Sequence, residues 1–295
     1  MNLSLRKFVG GTDMRRSAPA MLKRFVGRLA MVAMLGLPAL PASATLVFTE
    51  DFEGLTNGTD ISTSNTNLTY VRIGTGGGVI DALNPGSFGT GASAIITQNT
   101  SQASLNGIGV GNTLPSSNVY TLAFDLRLTN LTGDVVIGVG AGNSFTGNGT
   151  FQTNQGLFWL QSDSGNFQRR TSSAWVNVGG GTTLALNTNY AMRIVANGSS
   201  SPLTYPGGSL AGNTMDIYLN GALIDNDAPV TTNGLSANGF RMYQVSLGNF
   251  EVDNIQLYTA AVPEPSTLGL AAAGVALAGL GAWNRRRAGS PVQAG

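Results

Sequence analysis

The chain has 295 residues, of which 11% are charged, with 41 glycines and neither cysteine nor histidine. That composition excludes disulfides, thiol nucleophiles, histidine-based triads and zinc sites of the usual His and Cys type. Residues 1–44 carry seven basic groups against one acid and residues 285–287 are three arginines, so the six basic and fourteen acidic groups between them give a formal charge of −8, which argues against a nucleic-acid or anionic-membrane footprint.

The first element is a targeting segment. Met21 to Arg28 is a basic head, Leu29 to Leu37 a short apolar run, and Ala42-Ser-Ala44 puts small residues at the −3 and −1 positions of a cleavage site. This order reads as a signal peptide removed after Ala44 by signal peptidase. Pro38 and Pro41 break the apolar run, which disfavours an uncleaved anchor helix. Residues 1–20 add nothing typical of export, so translation is expected to begin at Met21.

Residues 45–261 are expected to form one antiparallel β-sandwich. Val119 to Leu128 alternates with period two: Tyr120, Leu122, Phe124, Leu126 and Leu128 share one face, and Thr121, Asp125 and Arg127 lie on the other. Further strands are predicted over 135–139, 156–162, 190–196, 215–219, 240–247 and 251–258, with no sustained helical period between them. Asn220-Gly221, between Met215–Leu219 and Ala222–Ile224, is a tight-hairpin signal because both residues tolerate positive φ. Asp225-Asn-Asp227 fits a turn, and Gly76–Gly78 and Gly179–Gly181 fit loops.

Thr49-Glu-Asp-Phe-Glu-Gly54 at the start, Phe250 to Leu257 at the end and the Met215–Ile224 hairpin resemble the concanavalin A-like, LamG-like jelly roll. The resemblance implies that opening and closing strands lie side by side. It also implies a structural calcium ion tying them together, with Glu50, Asp51, Glu53, Asp253 and Asn254 as donors. Hard cations take several oxygens, which such a set supplies; the plain alternative is that these acids are solvated edge charges that oppose aggregation. For catalysis only carboxylates remain. Glu251 and Asp253, like Asp51 and Glu53, have the spacing that puts two on one strand face, but hydrolases of this fold carry a denser acidic run, and Gln256 stands where a third acid would be.

Sugar rings stack on aromatic faces. Trp175, in a polar surrounding, Trp159, Tyr205 and Tyr243 are the aromatic contact candidates, each set against the commoner fate of core packing. Arg169-Arg170 could meet an acidic polysaccharide.

At the far end stand Val262, Pro263, Glu264 and Pro265, then residues 267–283 without a charge, then Arg285, Arg286 and Arg287, then residues 288–295. Seventeen residues at about 1.5 Å each reach roughly 25 Å, marginal for a hydrocarbon layer of about 30 Å. The arginines hold the final residues cytoplasmic and put the preceding domain outside. This tail resembles the PEP-CTERM sorting signal. The resemblance implies recognition of Val262–Pro265 by an exosortase, an integral membrane protease-transpeptidase of Gram-negative bacteria that make exopolysaccharide, with the C-terminal helix as a membrane intermediate on the way to the cell surface or extracellular matrix. The expected role is structural or adhesive within such a matrix. The alternatives are a specific carbohydrate-binding module and a polysaccharide hydrolase or lyase.

Overall fold

A strand with one apolar face is stable only when that face is covered, and here two antiparallel sheets cover each other. The computed structural model describes residues 44–64, 66–72, 77–89, 91–99, 105–130, 132–147, 149, 151–205 and 208–260. Within them the strands are β1 (Thr45–Glu50), β2 (Tyr70–Arg72), β3 (Gly78–Leu83), β4 (Ser93–Gln98), β5 (Asn106–Val110), β6 (Val119–Leu128), β7 (Val135–Gly140), β8 (Gly156–Asp163) and β9 (Asn166–Arg170). The remainder are β10 (Trp175–Asn177), β11 (Asn189–Asn197), β12 (Leu203–Tyr205), β13 (Gly208–Leu210), β14 (Thr214–Leu219), β15 (Ala222–Pro229), β16 (Gly239–Gln244) and β17 (Gly248–Thr259). The signal segment up to Ala42, the sorting motif Val262–Pro265, the apolar stretch 267–283 and Arg285–Arg287 lie outside the described residues.

One sheet has eight strands in the order β15-β14-β11-β6-β17-β4-β3, with β1 also paired to β17; the other has seven, in the order β10-β9-β8-β7-β16-β5-β2. A ribbon of β12 and β13 stands apart. The apolar face of β6 (Tyr120, Leu122, Phe124, Leu126, Leu128) and Phe250, Val252, Ile255 and Leu257 of β17 share one buried core with Ile108, Ile137, Val139, Phe158, Phe240 and Met242 of the second sheet. The alternation in β6 thus does what its sequence predicts.

The twelve residues of β17 organise the larger sheet. One edge pairs with β6. The opposite edge is divided: Gly248–Val252 pair with β4, and Ile255–Thr259 pair with β1. At the changeover, between Asp253 and Gln256, the β6 register shifts by one residue, and Asn254 takes a φ of 50°. Such a bulge bends the strand and lets one edge serve two neighbours. Opening and closing strands therefore do lie side by side, from Thr45 opposite Thr259 to Glu50 opposite Ile255.

The opening strand stops at Glu50. Phe52, at a φ of 55°, turns its ring into the core. Glu50 fixes that turn: its buried carboxylate accepts from the Phe52 N–H at 2.9 Å and, through the other oxygen, from the Asn67 N–H at 2.6 Å. The Asn220-Gly221 hairpin forms as expected, with φ of 51° and 79°. Asp225-Asn-Asp227, read as a turn, instead belongs to β15, whose pairing with β14 is irregular there.

Glu50→Ala would leave two N–H donors without their acceptor in a buried place. Urea unfolding of the variant is expected to show a loss of about 2–4 kcal/mol, and an unchanged midpoint would remove Glu50 as the strut of this corner.

Candidate binding groove on the eight-stranded sheet

On the sheet face turned away from the core, register places Tyr218, Arg193, Ala123 and Gln256 in one cross-strand row. The neighbouring row contains Ala191, Asp125 and Asp253. Ala123 and Ala191 are too short to fill their places, and a groove of about 500 Å³ opens over them, lined by Asp125, Arg193, Tyr218, Asn254 and Gln256.

Its two walls are built differently. On one side the β12–β13 ribbon packs Tyr205 and Leu210 against Val195 and Tyr218. The Tyr205 hydroxyl donates to Asp216 Oδ2 at 2.6 Å and meets the Tyr218 hydroxyl at 2.8 Å, while the Asp227 N–H donates to Asp216 Oδ1 at 2.8 Å. Burial, followed by these bonds to Asp216 and Tyr218, pushes the Tyr205 phenol far above its ordinary range, so it stays protonated. With its one proton directed to the carboxylate, Tyr205 accepts from Tyr218. The Arg193 guanidinium lies 3.9 Å over the Tyr218 ring, a cation–π contact that holds it flat on the wall.

On the other side Tyr258 donates to Gln256 Oε1 at 2.7 Å, which turns the Gln256 amide nitrogen outward as a donor. The Asn254 amide donates to Asp125 Oδ2 at 2.8 Å, and the Asn254 N–H to Asp253 Oδ1 at 2.7 Å. The bulge residue thereby joins two carboxylates that register sets opposite each other. Burial pushes Asp253 up to about 7; the Asn254 N–H opposes this, and the charges of Asp125, Glu53 and Asp51 add to it. A carboxylate, an amide donor and a guanidinium around a shallow, small-residue floor are what hydroxyl-rich ligands need, since each sugar hydroxyl both donates and accepts.

The expected calcium donors meet a different fate. Asp51 Oδ1 caps the Glu53 N–H at 3.1 Å, both Glu50 oxygens hold backbone N–H groups, and among the described residues no three acidic side chains come close enough to hold a metal ion. Asp125, absent from that donor set, stands beside Asp253 and Asn254 instead. Nothing in its own strand marks it; only the cross-strand partner does. Glu251 is buried to 4% exposure opposite Arg127 and does not line the groove.

Three of the four aromatic contact candidates are packed away. Trp159 is fully buried, stacked on Phe145 at 4.9 Å, and a Cβ on Gly138 or Gly156 would fall about 2 Å from its ring. Tyr243 is buried under the Arg241 guanidinium, which donates to the carbonyls of Ser144 and Gly149, and Tyr205 is buried in the wall network. Trp159 and Tyr243 serve packing because Phe145 and Phe151 lie against them on the second sheet, whereas Tyr205 packs against Val195 and Tyr218 of the first. Trp175 is half-buried, with Phe151 at 6.1 Å and Arg170 at 5.5 Å. Of the basic pair, Arg169 is tied to Asp225 at 3.0 Å.

Residues 261–287 match the PEP-CTERM protein-sorting motif. No curated protein matches the chain. Among solved structures, the cellulose-induced protein Cip1 is similar at 13% identity, covering 73% of this chain and 99% of its own, with a TM-score of 0.48. The alginate lyase Aly36B, as a variant in complex with alginate tetrasaccharide, is similar at 12% identity, 77% and 100% coverage and a TM-score of 0.43. The globular domain of T. cruzi calreticulin follows at 8% identity, 74% and 89% coverage and a TM-score of 0.43.

The raised Asp253 predicts a pH profile. The folded carboxyl keeps its proton to about 7, whereas the unfolded one releases it near 3.8, so the folded state binds more protons in between. Stability should fall as pH rises through that window and level off above it. Urea midpoints measured from pH 4.5 to 8.5 should show this slope in the native protein and a flatter profile in Asp253→Asn, which keeps the shape without the titration.

Proposed function

We propose that this is an exported, cell-surface protein that associates with matrix polysaccharide through the groove on its eight-stranded sheet. The observation behind the binding half is the preformed groove itself, in which Asp125, Asn254 and Gln256 are already oriented by neighbours and Tyr218 is braced from behind. A site that needs no rearrangement loses little entropy on binding. Its weak polar contacts, repeated along a polymer by many copies, suit an adhesive or structural role.

The sorting motif supports the export half. Signal peptidase would release the chain near Ala44, and an exosortase of a Gram-negative host would read Val262–Pro265. Two prolines keep that stretch extended and non-helical, open to a protease at the membrane face. The arginines at 285–287 would retain the far end in the cytoplasm until processing.

A second reading, polysaccharide cleavage, has one observation in its favour: Asp253 keeps a proton to about pH 7 opposite another carboxylate, the kind of pairing glycoside hydrolysis uses. Asp253 is only 6% exposed, however, which withholds it from a polymer chain and puts binding first.

Asp125→Ala and Gln256→Ala should each weaken binding to the host's purified exopolysaccharide about tenfold or more, a loss of about 1.4 kcal/mol, in affinity electrophoresis. Unaltered affinity in both would refute the groove. In a host making an exosortase, replacing Val262–Pro265 by alanines should leave the unprocessed chain in the inner membrane.

A further inference from the structure

A second cavity lies away from the groove. It is about 630 Å³, bounded by Thr153 and Asn154 before β8, by Thr171 and Ser172 after β9, and by the segment Pro229–Asn233 that leaves β15. That volume is within the range of about 300–1,000 Å³ usual for small-molecule sites. No charged side chain lines it.

The cavity is held open by the fold. Thr231 is buried, donates its hydroxyl to the Arg170 carbonyl at 2.8 Å, and accepts the Trp159 N–H on the same oxygen at 3.1 Å. Its N–H donates to the Leu157 carbonyl at 2.9 Å, and the Val230 N–H to the Asn213 carbonyl at 3.1 Å. The wall is thus bonded to β8 and β9 of one sheet and to the approach to β14 of the other. Around it Ser172, Asn154 and Asn233 are exposed, as is the ring of Pro229.

We propose that this cleft is a second saccharide site, for an uncharged stretch of polysaccharide. Hydroxyl and amide side chains match the alternating donors and acceptors of sugar hydroxyls, and the Pro229 ring offers an apolar patch for a C–H face. The absence of any charge disfavours ammonium and carboxylate sugars alike. The choice of polysaccharide as ligand class rests on the reading of the groove, but occupancy of the cleft does not. Two sites on different surfaces let one domain join two polymer chains, which turns a binder into a cross-linker.

The test is calorimetric titration of the full ectodomain with neutral hexasaccharides of β-glucan, β-galactan and β-mannan. At least one should bind the native protein, Ser172→Trp should weaken it tenfold or more by filling the cleft, and Asn233→Ala, the milder change, should weaken it threefold or more. Both sites are exposed, and an unchanged urea midpoint shows that each variant is folded. The native protein should also raise the viscosity of a neutral polymer solution that Ser172→Trp leaves unchanged. Binding of none of the hexasaccharides by the native protein, or equal binding by native and both cleft variants, would overturn the second site. Loss through Asp125→Ala but not through the cleft variants would also overturn it, while leaving the groove standing.

Discussion

The larger sheet depends on one strand having two neighbours along a single edge. A twelve-residue strand in the middle of a sheet must satisfy the backbone groups of both its edges, and β17 does so by pairing with β4 first and β1 afterwards. Neither neighbour is long enough alone. The changeover requires a local departure from the pleat, which the bulge at Asp253 and Asn254 supplies. Since Asn is among the few side chains that enter left-handed backbone readily, its position at the bulge has a backbone reason before any functional one.

The same irregularity shapes the surface chemistry. The register keeps Asp253 in line with Glu251 and opposite Asp125, and the bulge just beyond it and the turn of residues 51–54 leave several carboxylates in one electrostatic neighbourhood. Their mutual repulsion, added to burial, is met by a proton on Asp253 and by the Asn254 amide, which donates to Asp125. Glu50, one of the expected cation donors, serves the backbone of this corner. Its oxygens are committed to backbone donors, so the corner between the first and last strands is closed by hydrogen bonds internal to the chain.

The all-β class, the β6 face and the Asn220-Gly221 hairpin were legible because each rests on local periodicity or turn chemistry, while the adjacency of opening and closing strands came only from the resemblance to the jelly roll. β5, which none of the expected strands covers, shows why others were harder. It is buried throughout, and a strand buried on both sides has no alternation to read. The groove was hidden for a related reason. Its floor is two alanines and its acid is one residue on β6, and their meeting is a fact of cross-strand register, which no single segment encodes. Trp159, Tyr205 and Tyr243 were attractive as sugar platforms from composition alone, but an aromatic becomes a platform only where nothing packs on its face.

Pairing of the first strand with the last also constrains how such a domain is made. Thr45 lies opposite Thr259, so the residue that follows the expected signal cleavage site and the residue two positions before the sorting motif match are neighbours across the sheet, with Cα atoms about 5 Å apart. Non-local closure of this kind comes late in folding, because the entropy of joining distant segments must be met before their contacts stabilise. The eight-stranded sheet therefore cannot be completed until β17 has emerged. The first and last described strands begin and end together at one end of the sandwich, while the groove lies midway along β6 and β17.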